Sequence, residues 1–270
     1  MDDLILRIAV FVLVGLVTGY LSGLFGIGGG IVRIPLFLHI LPLFGVAHAV
    51  VMHVSVGTSI ALVVPAAVAA TWKQIALGNL DIAFFRTWAL GVLVGAVIGN
   101  ILLPHVSTEI LIAVFAAYLL SVGIYQAFLK HWLSIAKEAP HGTAKLGIAA
   151  AVGCMGALTG TAGGTVTTPI LEAFGVAIKS AIATASATGL VTGVIGTLGT
   201  ILTGWNAVGR PSYCLGFVDL VIFAAMLPPI LIAAPLGVRA GRLLSPKTLE
   251  YAYAIMLFIM AADLILKLVK

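Results

Sequence analysis

Apolar runs long enough to cross a bilayer recur from one end of this chain to the other. A hydrocarbon core of roughly 30 Å needs about 20 apolar residues in a helix. Such runs fall at about Leu4–Leu24, Ala47–Ala70, Ile82–Leu103 and Thr108–Leu129. After a polar connection from Lys130 to Lys145 they resume at about Leu146–Leu158, Ile178–Thr203, Phe217–Gly237 and Leu249–Leu268. The expected fold is therefore an all-α polytopic membrane protein with about eight spanning helices, four in each half.

Composition agrees. Of the 270 residues 61% are hydrophobic and 9% charged, whereas a soluble domain carries roughly 25% charged residues. The net charge of +5 comes mainly from the connections between apolar runs, where basic residues orient a membrane protein, so nucleic acid is not an expected partner. Asp2 and Asp3 precede Arg7, and no small-residue cleavage pattern follows the first run, so that run is read as a retained helix rather than a signal peptide. Cys154 and Cys214 are far apart in or beside apolar segments, which suits packing rather than a disulfide or a metal site.

Two Gly-rich segments carry an internal repeat. Laid over Met155–Pro169 without a gap, Leu21–Pro35 places Gly26, Gly29, Gly30, Val32 and Pro35 on Gly160, Gly163, Gly164, Val166 and Pro169. With a small offset, Thr58 pairs with Thr188, Gly78 with Gly216, Asp81 with Asp219 and Gly99 with Gly237. The chain is expected to comprise two homologous halves, residues 1–130 and 145–270, joined by a cytoplasmic linker at 131–144. A short apolar stretch follows each Gly-rich segment, Ile34–Val46 and Ile170–Val176, broken by Pro42 and Glu172 respectively. Neither suffices to span, so two Gly-rich broken or re-entrant helices are expected besides the eight. Such irregular backbone is tolerated only where protein or a water-filled cavity satisfies it.

Charge placement leaves the topology open. With eight crossings, the larger basic set, including Arg7, Lys130, Lys137 and Lys145, shares a side with both termini. With five crossings per half the repeats are inverted and the termini move to the other side. The central linker is cytoplasmic in both cases. The small-residue row Gly91, Gly95 and Gly99 allows a close helix pair within one chain or between two, so a homodimer is compatible with the sequence.

The candidate substrate site follows from the two breaks. Gly28, Gly29 and Gly30 bare successive backbone amides where an apolar helix stops, and Pro35 suits the first turn of the helix that resumes. Amides at a helix start attract an anion, helped by the helix dipole. Gly163 and Gly164 repeat the arrangement, with hydroxyl donors at Thr159, Thr161, Thr165 and Thr167. Arg33 is the basic residue within the matched segments, and a guanidinium can grip two oxygens of an oxyanion. Glu172 and His53 are candidates for proton coupling. Trp72 and Trp205, following apolar helices, read as interfacial anchors. The sequence holds no His-Glu-x-x-His, P-loop or acidic cluster, so neither an enzyme nor a cofactor or metal site is expected.

On the segments Gly26–Pro35 and Gly160–Pro169, the chain resembles the TauE/SafE family of sulfite exporters, also called the 4-toluene sulfonate uptake permease family. The resemblance covers essentially the whole length. It implies a secondary carrier, often proton-coupled, that moves sulfite, thiosulfate, organosulfonates such as sulfoacetate or other small organic anions across the bacterial inner membrane. This chain departs from internal symmetry in one respect: Arg33 has the neutral counterpart Thr167, so the implied site is asymmetric.

Overall fold

The computed structural model describes residues 2–25, 28–129, 138–161 and 163–269. Gly26, Ala162 and most of the expected linker lie outside them. Ten helices follow in order: α1 Asp2–Phe25, α2 Gly30–Ile40, α3 His48–Ala76, α4 Ile82–Leu102, α5 Thr108–Ile124, α6 Gly142–Thr159, α7 Gly164–Ala173, α8 Ile178–Thr203, α9 Leu220–Leu243 and α10 Pro246–Val269. Eight are long and apolar enough to cross a membrane; α2 and α7, of 11 and 10 residues, are not. A two-stranded hairpin, β1 Cys214–Leu215 and β2 Val218–Asp219, precedes α9.

Matching helices begin in the same way. Asp81 accepts a hydrogen bond from the Phe84 amide and Asp219 one from the Ile222 amide, capping α4 and α9. Ser107 and Ser245 do the same for α5 and α10, accepting from Ile110 and Thr248. Each cap satisfies a donor that a helix start leaves orphaned. Gly78 and Gly216, just before the Asp caps, both take positive φ, 68° and 62°.

The packing interleaves the two halves. α1 lies parallel to α9, with Gly15, Gly19 and Gly23 facing Met226, Ile230 and Ala234, and Gly237 facing Tyr20. α4 lies parallel to α6 in the corresponding way, with Gly91, Gly95 and Gly99 against Ala149, Ala150 and Cys154. A Cβ at Gly95 would sit 1.8 Å from the Ala150 carbonyl oxygen and one at Gly23 2.0 Å from that of Ala234. Small residues thus let the backbones touch where dispersion is the main attraction between helices. The Gly91–Gly95–Gly99 row is therefore used within the chain.

Cross-contacts fix the direction of every helix. α2 folds back along α1, since Phe11 packs on Phe37 and Phe44 and the Arg7 guanidinium lies over the Phe44 ring. Arg7 pairs with Asp219, His39 with Asp263 and His48 with Glu109. These pairs gather both termini, the starts of α3, α5 and α9 and the ends of α2, α4, α8 and α10 at one end of the bundle, here the terminal end. At the other, the linker end, Lys145 donates to Thr87 and lies over the Phe84 ring. Each half contributes five helices, and the second five run opposite to the first.

Two expectations are corrected. The short helices begin earlier, directly after left-handed Gly29 and Gly163, because those glycines turn the chain. Pro35 and Pro169 consequently lie inside their helices rather than in the first turn, where each removes one backbone donor. α9 also continues past Gly237 to Leu243 despite three internal prolines, neighbouring helices making such breaks tolerable.

Candidate functional site

The two Gly-rich turns share one backbone conformation. Gly29 has φ 80° and ψ −13°, Gly163 φ 70° and ψ −16°. Residues with a Cβ pay about 1–2 kcal/mol for this left-handed region, which glycine adopts freely. In each turn the glycine carbonyl accepts the third and fourth following amides: Val32 and Arg33 from Gly29, Val166 and Thr167 from Gly163. Neither helix start has a side-chain cap, so the earliest amides of α2 and α7 stay available to another acceptor. The turns also meet. A Cβ on Gly30 would lie 2.7 Å from the Gly160 carbonyl oxygen and 3.0 Å from the Thr161 Cα. Ser59 of α3 donates to that same Gly160 carbonyl at 3.0 Å.

Between α3, α5, α7, α8 and α10 a cavity of about 480 Å³ runs from the linker end to these turns. Its outer wall includes Ala70, Gln126, Glu172 and Ile178, its inner end Gly28, Gly164, Thr165, Gly189 and Tyr253. Val63, Ala66, Ala67, Val122 and Ala185 make much of the surface apolar, with Tyr125, Thr168 and Ser186 adding hydroxyls. This size suits a small-molecule site. Among the described residues lining it, Glu172 is the charged one.

The structure divides the residues singled out from sequence. Gly28, Gly164, Thr165 and Glu172 line the cavity. Gly29 and Gly163 shape the turns behind it, and Gly30 packs the two turns together. Thr167 is buried and donates to the Gly163 carbonyl at 2.9 Å. Thr159 donates to the Met155 carbonyl, its hydroxyl 2.9 Å from that of Thr161, which in turn donates to the Tyr118 hydroxyl at 3.5 Å. These three threonines are internal ties and do not line the cavity.

Arg33 is 2% exposed. One guanidinium nitrogen, Nη2, donates to the Gly28 carbonyl at 2.9 Å, and Nε has no partner. No carboxylate pairs with it among the described residues. Arg33 therefore stands one layer behind the cavity, its charge reaching the cavity through the Gly28 peptide. That differs from the direct grip expected of it. His53 is placed elsewhere altogether: its Nε2 lies 3.0 Å from the Leu103 carbonyl oxygen and its ring packs on Phe217, towards the terminal end. The structure separates it from the cavity, and of the two candidates for proton coupling only Glu172 adjoins the cavity. Trp72 and Trp205 are exposed near opposite ends of the bundle.

Sequence reasoning missed Tyr125, Gln126, Ser186 and Tyr253. They belong to the π-helical turn Tyr125–Leu129 that follows α5, to α8 and to α10, and no motif marks them.

The chain resembles known proteins along nearly its whole length. It is 28% identical over 257 residues to a probable membrane transporter protein of Haemophilus influenzae, covering 94% of this chain and 97% of that one. It is 26% identical over 271 residues to a probable membrane transporter protein of Methanocaldococcus jannaschii, covering 98% and 97% respectively. No solved structure matches. Residues 11–264 match the family described as sulfite exporter TauE/SafE. The chain belongs to the TauE/SafE sulfite exporter family and is a multi-pass membrane transporter.

Proposed function

We propose that this transporter carries a small sulfur-containing anion, such as sulfite, thiosulfate or an organosulfonate like sulfoacetate, by alternating access. The observation that carries this reading is the packing of two Gly-built turns, each leading into an uncapped short helix, with Gly28 of one and Gly164 of the other lining a single cavity. Amides and the positive ends of two short helices favour an anion there. Inverted halves with broken helices at their interface are an arrangement transporters use for such sites. The described linker end carries Lys73, Arg86, Lys145, Lys179, Arg239, Arg242 and Lys247, against Arg7, Arg210 and Lys267 at the terminal end. By the positive-inside rule the linker end faces the cytoplasm, so the cavity is inward-open. The membrane in this reading is the bacterial inner membrane.

Glu172 is the proposed proton site. A carboxylate beside the path of an anion repels it when ionised and admits it when protonated, which ties anion movement to proton movement.

Thermal shift and calorimetry with sulfite, thiosulfate, sulfoacetate, taurine, phosphate and lactate test the substrate class. Selective stabilisation by a sulfur oxyanion is expected; a response to lactate or phosphate alone overturns that class. Exchange of labelled for unlabelled substrate in liposomes tests the carrier mechanism. Saturable counterflow is expected, and unsaturable flux without exchange would make the protein an anion channel.

A further inference from the structure

Two hydroxyls at the inner end of the cavity lack a well-formed hydrogen bond among the described residues. Tyr253 of α10 and Thr165 of α7 both line the cavity; the Tyr253 hydroxyl is buried without a hydrogen bond among the described residues, and the buried Thr165 Oγ1 has only the Tyr118 hydroxyl near it, too poorly placed for a well-formed bond. Tyr253 is 8% exposed and stacks at a tilt on Phe25, ring centres 5.4 Å apart. A buried hydroxyl without a partner is destabilising, and native proteins keep few of them. The same cavity takes in Gly164, the first residue of the uncapped α7, so donors from two helices and a free helix start face one space.

We infer that Tyr253 and Thr165 are the side-chain donors that hold the transported oxyanion, and that the site takes a singly charged anion with an uncharged organic body. This rests on the transport reading above. Neutral donors and amides suit one negative charge, whereas a second charge would lack a cation among the described lining residues and would face Glu172. The volume argues for the organic body. At about 30 Å³ per water, a bare oxyanion leaves most of the 480 Å³ empty. Val63, Ala67, Val122 and Ala185 offer apolar surface to the remainder. Arg33 acts as a positioning residue: by holding the Gly28 carbonyl it turns a repulsive oxygen into a satisfied one.

The test is calorimetry of the purified full-length protein with butane-1-sulfonate and methanesulfonate. Wild type is expected to bind butane-1-sulfonate several-fold more tightly. Tyr253→Phe and Thr165→Val should each weaken butane-1-sulfonate binding about tenfold, in keeping with loss of a hydrogen bond to a charged group. Thr165→Ser should restore most of the affinity. The substrate-free Tm of Tyr253→Phe should not fall, because the variant removes an unpartnered hydroxyl and keeps the ring. Unchanged affinity in both variants, or weakening matched by a lower substrate-free Tm, overturns the donor assignment while leaving the transport reading intact. Equal binding of the two sulfonates overturns the organic body. Wild type that binds sulfite but neither sulfonate overturns this inference alone; wild type that binds and exchanges no sulfur oxyanion overturns both readings.

Discussion

The two Gly-rich turns have nearly the same backbone and very different surroundings. After Gly29, α2 is buried along most of its length, with Ile31, Ile34, Phe37 and Leu38 at 0% exposure and Arg33 turned back on its own loop. After Gly163, α7 keeps only Thr167, Leu171 and Ala173 buried and presents Thr165, Thr168 and Glu172 to the cavity. The difference teaches that a shared turn can serve two purposes. The first turn anchors one end of the site within an apolar core, while the second presents side chains to the cavity. The ends of the molecule differ likewise. At the terminal end α2 is held to α10 by the His39–Asp263 pair and by Lys267 donating to the Leu38 carbonyl. At the linker end α7 meets the turn after α5 through a long bond, from the Tyr125 hydroxyl to the Pro169 carbonyl at 3.4 Å, and the cavity opens beside it.

The largest expected effect tests what the turns share. Gly29→Val and Gly163→Val force a β-branched residue into the left-handed region at both positions, and a displaced site can cost about 100-fold in rate. Transport in liposomes should be lost in both; full activity in either would show that its turn does not shape the site. Next comes what separates the turns. Arg33→Gln should weaken sulfite binding about tenfold, the worth of one charge-assisted hydrogen bond, while the protein still purifies as a folded species. Unaltered calorimetry would remove Arg33 from any role at the site.

Glu172→Gln should have a split effect. Proton-driven accumulation should vanish while counterflow exchange persists, and affinity should tighten by about 0.5–1 kcal/mol, as for a screened charge. Persistence of pH-driven uptake would exclude Glu172 from coupling. The smallest effect is expected at the terminal end, where Asp263→Asn removes a pair whose side chains are 52% and 41% exposed. A stability change of at most about 1 kcal/mol is expected in a denaturation assay. A larger loss would mean that the terminal end is latched more firmly than its exposure implies.

Much of the fold was legible because apolar run length is a local property: Ile82, Thr108 and Ile178 all begin helices where the pattern places them. Relative helix direction was not legible, since the same lysines and arginines fit either topology; pairs such as Arg7–Asp219, distant in sequence, decide it. The site was half legible. Gly29 and Gly163 announce themselves by spacing, as do the Thr165 hydroxyl and Glu172 beside them. Tyr253 and Ser186 are ordinary helix residues whose importance comes from what the fold brings opposite them. Arg33 was found for its charge but misplaced, because nothing in the sequence reveals that its partner is a carbonyl five residues earlier.

The exchange of partners between halves also bears on how the chain is made. α1 finds its glycine-to-backbone contacts only on α9, so Gly15 waits for Met226 to leave the ribosome. At 5–20 residues per second this is about 10–40 s of synthesis, during which α1 sits in lipid with its small-residue face uncovered. α4 waits a much shorter time for α6. The order of assembly is then set by chain position: the α4–α6 pair closes around the middle of the sequence, well before the α1–α9 pair. A nascent chain stopped before α9 should remain inserted but unassembled, open to capture by membrane proteases.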